Sequence, residues 1–101
     1  MSRAEIFRRH VAADPANTLF RFSLGQALWA EGNPAGAVEH LRLAAKSKID
    51  WMMPRILLGK CLLAVGDNAA AKVAFADALA LAVLQGHEEP EEELRALLAT
   101  L

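Results

Sequence analysis

The stretch SLGQALWAEGNPAGA at residues 23–37 returns at residues 57–71 as LLGKCLLAVGDNAAA, and this duplication constrains the fold more than any other feature of the chain. Setting residue n against residue n+34 pairs Arg21 with Arg55, Leu24 with Leu58, Gly25 with Gly59, Leu28 with Leu62 and Ala30 with Ala64, without a gap. The register continues through Gly32 with Gly66, Ala35 with Ala69, Ala37 with Ala71, Leu41 with Phe75 and Ala44 with Ala78. What recurs is small residues and large apolar ones at helical spacing, which is a packing pattern. A unit of this length cannot bury its apolar face alone, so stacked copies are expected to share one core.

The punctuation inside each unit marks two helices. Residues 18–30 and 52–64 lack internal breakers apart from Gly25, Gly59 and Pro54, the last tolerated in a first turn. EGNP at 31–34 offers Asn33 as an N-cap with Pro34 at the first helical position, and VGDN at 65–68 offers Asp67 as its counterpart. Second helices are expected over 34–47 and 68–85, the latter closed by Gly86 in a left-handed C-cap. Gly25 and Gly59 fall mid-helix, where glycine costs about 1 kcal/mol relative to alanine, so close approach of a neighbouring helix is expected at both.

Composition agrees with an all-α fold. Of 101 residues 54% are hydrophobic, mostly alanine and leucine, with no tyrosine and few β-branched residues. That length suits one domain and a single core. The net charge of −1 divides into +2 over residues 1–50 (seven basic, five acidic) and −3 over residues 51–101 (four basic, seven acidic). Neither half forms the concentrated basic face that nucleic acid requires. Arg3, Arg8, Arg9 and Arg21 come nearest, but Glu5 and Asp14 interrupt them, and no nucleic-acid partner is expected. Cys61 is the only cysteine and no signal-peptide h-region is present, so the expected address is cytoplasmic. The apolar run at 69–84 is alanine-rich and interrupted by Lys72 and Asp77, and no membrane span is expected from it.

These motifs together resemble the tetratricopeptide repeat. The resemblance rests on Leu24-Gly25 and Leu58-Gly59, the Gly32-Asn33 and Gly66-Asp67 turns, Ala37 and Ala71, Leu41 and Phe75, and Ala44 and Ala78. It covers residues 18–85 and reaches back to Phe7 and Pro15, which lie thirty-four residues before Leu41 and Ile49. It implies a right-handed superhelical solenoid of helical hairpins forming one domain over 1–101. The parts are a half-repeat helix at 3–13, full repeats at 18–51 and 52–85, and a capping helix at 90–101. The cap follows from Leu94, Leu97, Leu98 and Leu101 on one face, with Glu91, Glu92 and Glu93 crowding the first turn behind Pro90. Two departures stand out: Arg21 and Arg55 occupy places where the family commonly has a large apolar residue, and neither full repeat ends in proline. Looser packing is expected there.

Helical spacing puts Phe20, Leu24 and Leu28 on one side of the first helix and Leu19, Phe22, Gln26 and Trp29 on another, matched in the next repeat by Met53, Ile56, Lys60 and Leu63. The resemblance implies that this second set lines a concave, peptide-receiving groove, apolar and aromatic with polar tips at Gln26 and Lys60. Phe22 and Ile56 are expected to project away from the packing. The family's carboxylate-gripping places hold Phe22, Gln26 and Leu57, so the expected ligand is an apolar or amphipathic protein segment and not a terminal carboxylate.

No catalytic constellation accompanies the repeats. His10, His40 and His87 are scattered, no HxxxH, CxxC or phosphate loop is present, and Cys61 sits among leucines as an expected inert thiol. Neither metal nor cofactor is expected, and the chain reads as a binding scaffold and not an enzyme. The second reading is self-association into a homodimer, because helix 68–85 is apolar almost all round, with Lys72, Asp77 and Gln85 breaking the pattern.

Overall fold

Side-chain caps start four of the six helices in the computed structural model, which describes all 101 residues. Six helices follow in order: α1 (Arg3–Ala13), α2 (Thr18–Ala30), α3 (Pro34–Ser47), α4 (Met52–Ala64), α5 (Asn68–Gln85) and α6 (Glu88–Ala99). Asn17, Asn33 and Asp67 each accept, through a side-chain oxygen, the amide hydrogen three residues on. Ser2 does the same for Glu5. Such a cap satisfies one of the otherwise orphaned amides of a first turn and contributes about 1 kcal/mol. Trp51, standing one repeat after Asn17, makes no such bond, and α4 begins on Pro54 and tertiary packing instead.

The turns closing the first helices are copies of one another. Gly32 and Gly66 have φ of 80° and 85°. The next amides, Asn33 and Asp67, return to Leu28 and Leu62 at 2.8 and 2.9 Å. Gly86 ends α5 with φ 71°, the left-handed conformation expected of it. The capping helix differs in its start: it begins at Glu88, so Pro90 lies inside the first turn, where its missing N–H costs nothing. Glu88, Glu89 and Glu91 therefore occupy the dipole-favoured turn, and Glu92 and Glu93 follow it.

Each helix packs on its predecessor in the chain, and α2 also touches α4. One continuous core runs through the stack, centred on Leu24, Leu28, Leu41, Phe75 and Leu94, all fully buried. The mid-helix glycines are where neighbours close in. A Cβ on Gly25 would stand 2.6 Å from Leu41 Cγ, and a Cβ on Gly59 would overlap the Phe75 ring. A large side chain thus fills the space that each glycine leaves, one repeat apart. The expected loosening at Arg21 and Arg55 is offset, since both guanidinium groups reach back and bond carbonyls of the preceding connection.

Candidate functional site

The first helices, α2 and α4, present one side away from α3 and α5, and two depressions on it run into each other. One, of about 100 Å³, is lined by Phe22, Gln26, Met53, Ile56, Leu57 and Lys60. The other, of about 510 Å³, is bounded by Trp29, Glu31 and the start of α1 at Ser2 and Arg3. Gln26 and Leu57 line both, so the two make one groove from Lys60 to Trp29.

Five of the eight residues expected in a groove converge in the smaller depression, and Trp29 joins through the larger one. Leu19 and Leu63 do not. Leu19 is exposed beside Trp51 and Lys48 in a separate shallow depression. Leu63 packs half-buried against the core and lines no depression.

The expectation that Phe22 and Ile56 stand clear of the packing does not hold. Each is only 7% exposed and belongs to the core. Phe22 lies against Trp51, with ring centroids 4.6 Å apart and planes tilted by 58°. That indole comes from the connection between α3 and α4, at the end of the same repeat, and covers the ring. The two residues are therefore the floor of the groove, and its accessible apolar surface is Trp29, Met53 and Leu57. Helical periodicity separates faces of one helix but carries no information about what a connecting segment folds over.

Leu57 stands outside the set that helical spacing gave because it aligns with Ser23 in the other repeat. Its place among the family's ligand-gripping positions was the signal for it, and it lines both depressions. Arg3 and Ser2 reach the groove only through the docking of α1.

The polar tips differ in freedom. Lys60 Nζ is held 3.1 Å from Glu93 Oε1 of α6, an exposed pair worth at most about 1 kcal/mol. A carboxylate on a ligand would compete with Glu93 for that ammonium. Gln26 is exposed and its side chain makes no hydrogen bond within the chain, leaving an amide to meet a ligand backbone. Arg3 and Glu31 set opposite charges at the far end.

No three His, Cys, Asp or Glu residues cluster closely enough to hold a metal ion. Cys61 is fully buried, and desolvation pushes its thiol up to about 11. His40 sits on the opposite side, on α3, with Nδ1 3.0 Å from Arg21 Nη1. Since arginine only donates, that nitrogen is the acceptor of a neutral ring, and burial followed by the Arg21 and Arg8 charges lowers the histidine's pKa.

No family model matches the chain. Over 85 residues it is 34% identical to the TPR repeat-containing protein PA0015 of Pseudomonas aeruginosa, a span taking in 84% of this chain and 81% of that one. The chain belongs to the tetratricopeptide-repeat family. Solved structures of the same fold include the type III secretion translocator chaperone SycD of Yersinia enterocolitica, at TM-score 0.89 and 20% identity, covering 96% of this chain and 68% of that one. PcrH, in complex with the chaperone-binding region of PopD, superposes at TM-score 0.88 and 24% identity, over 96% of this chain and 74% of its own. Protein BPP2914 of Bordetella parapertussis reaches 29% identity at TM-score 0.81, over 99% of this chain and 87% of its own. This tetratricopeptide-repeat chain thus shares its six-helix path with proteins of which PcrH is solved in complex with a segment of another protein.

Proposed function

We propose that the protein is a non-catalytic adaptor that holds an apolar or amphipathic segment of a partner protein in the groove along α2 and α4. The observation that carries this reading is the continuity of the two depressions through Gln26 and Leu57, with Trp29 and Met53 exposed along it. Exposed aromatic and methionine side chains beside a half-buried leucine form a surface that gains by excluding water. Gln26 supplies the hydrogen-bonding amide that an extended backbone needs. The carboxylate-gripping residues of the family are replaced by Phe22, Gln26 and Leu57, so affinity comes from apolar anchors and not from a chain terminus. In this reading residues 1–101 act as one domain in the cytoplasm, with a half-repeat, two repeats and a capping helix, and the partner is protein and not nucleic acid.

Peptides selected from a random display library against the chain provide the test. Trp51→Phe leaves Trp29 as the sole indole, and its emission is expected to shift to the blue as a selected peptide is titrated in. Trp29→Glu and Met53→Glu should each weaken the same peptide at least tenfold, about 1.4 kcal/mol, with unchanged unfolding midpoints. Selected peptides indifferent to both substitutions would place the binding surface elsewhere.

A further inference from the structure

The α5 helix carries a second apolar face that the fold leaves uncovered. Its buried side is Ala71, Ala74, Phe75, Ala78 and Ala82. Directly opposite, Ala69, Val73, Ala76, Ala80 and Val83 recur at intervals of four, three, four and three, a heptad seam that spans two full repeats of the coiled-coil pattern. Val73 is 62% exposed, Val83 51%, and Leu84, beside the seam, 81%. None of these residues lines the groove of α2 and α4.

Two charges flank the seam. Lys72 lies on one edge and Asp77 on the other, five residues apart, so they cannot reach each other on one helix. Lys72 pairs with no carboxylate in the chain, while Asp77 stays half-exposed with Oδ2 3.5 Å from Arg55 Nη1. Five residues is the offset at which the edge residue of one helix meets the opposite edge of a parallel, in-register partner. We propose that the occupant of this face is a second copy of the chain, its α5 parallel to the first, with two symmetry-related pairs between Lys72 and Asp77 of the two copies.

Charge selects the orientation. An antiparallel pair that kept the seams in register would bring the two Asp77 carboxylates to one level on the same side and leave both Lys72 groups unanswered. The parallel pair gives both Lys72 groups a carboxylate, each Asp77 lying between Arg55 of its own copy and Lys72 of the other, and the same patch serves both copies as a two-fold interface requires. The seam alanines let the backbones approach, and the valines and Leu84 supply the apolar area. The interface lies on the side away from the groove, so the assembly carries two open grooves; it stands or falls apart from the groove reading. The α5 helix, at 18 residues and a mean hydropathy of 1.3, also has the length and composition to meet a lipid phase, which the experiment must separate from pairing.

Sedimentation equilibrium of the full chain should show a reversible monomer–dimer equilibrium. Lys72→Asp and Asp77→Lys should each raise the dissociation constant at least tenfold. An equimolar mixture of the two variants should re-form a dimer, because the aspartate introduced in one copy then meets the lysine introduced in the other, and the two unaltered residues pair as before. Circular dichroism melts check that both variants stay folded. Ala69→Cys alone should cross-link under mild oxidation, whereas an antiparallel pair would join Ala69→Cys only to Val83→Cys; buried Cys61 keeps the background clean. A chain monomeric at every concentration overturns the proposal. So does a dimer that ignores both charge reversals, or a monomer that floats with phosphatidylglycerol vesicles through α5.

Discussion

Arg21 and Arg55, one repeat apart, fasten the same point of the chain: Arg21 Nε donates to Pro15 O at 3.1 Å, and Arg55 Nη2 donates to Ile49 O at 3.3 Å. Pro15 and Ile49 are themselves thirty-four residues apart. Each guanidinium also turns to the second helix of its own repeat, Arg21 to His40 and Arg55 to Asp77. The arginines thus pin the connection from the preceding hairpin, a task that matters more at Ile49, where no proline stiffens the chain.

Arg55→Met should destabilise the protein by about 0.5–1 kcal/mol, because water can replace the donor at the exposed Ile49 carbonyl and the pair with half-exposed Asp77 contributes little. Arg21→Met should cost less, since Pro15 already restricts its connection. Lysine at position 55 should recover only part of the loss, lacking the planar fork. Urea unfolding at constant slope measures all three, and midpoints equal to wild type would show the clamps to be incidental.

Gly59→Ala should cost about 1–3 kcal/mol, because its methyl group meets the fully buried Phe75 ring, which has nowhere to retreat. Gly25→Ala meets the more adaptable Leu41 and should cost less. Phe75→Leu introduced into Gly59→Ala should be milder than in the wild-type background, a coupling that a double-mutant cycle reads directly.

Phe22→Glu should unfold the protein or lower its stability by about 3 kcal/mol or more, as it strips a ring from Trp51 and places a carboxylate in the core. Trp29→Glu, on an exposed rim, should shift stability by about 0.5 kcal/mol at most. Thermal melts separate the two; equal melting temperatures would return Phe22 to the accessible surface.

His40 makes stability depend on pH. Burial and the Arg21 charge lower its folded pKa below the ordinary 6.5, so the unfolded chain takes up the proton first. The contribution is complete above about pH 6.5 and is lost as pH falls from there through the lowered folded value. Urea midpoints should decline from about pH 7.5 to about pH 5, and His40→Gln should flatten that decline. An unchanged slope in the variant would assign the effect to other groups.

The repeat made most of the fold legible. Period, caps and mid-helix glycines placed α2 to α5 within the spans they occupy, because these features act through bonds and clashes within a few residues or between adjacent helices. The mid-helix Gly25 and Gly59 marked where a neighbouring helix closes in, and the structure supplies the neighbours, Leu41 against Gly25 and Phe75 against Gly59. The start of α6 escaped by two residues, since a proline is tolerated throughout a first turn and marks no unique position in it.

The groove was legible only in part. Helical periodicity assigns faces, and the face it assigned to α2 and α4 brings five of its eight residues into one depression while leaving Leu19 and Leu63 outside it. It could not determine which residues on that side remain open, because Trp51 closes over Phe22 from a connection whose path no periodicity describes. Apolar periodicity alone could not distinguish the two faces of α5, with alanine, valine and leucine all round; only the repeat match at Ala71, Phe75 and Ala78 pointed to the buried one. The docking of α4 and α6 against α5 made that choice by burying Ala71, Ala74, Phe75, Ala78 and Ala82. Local order is written in short-range spacing, whereas exposure is a property of the whole surface and exists only once every helix has docked.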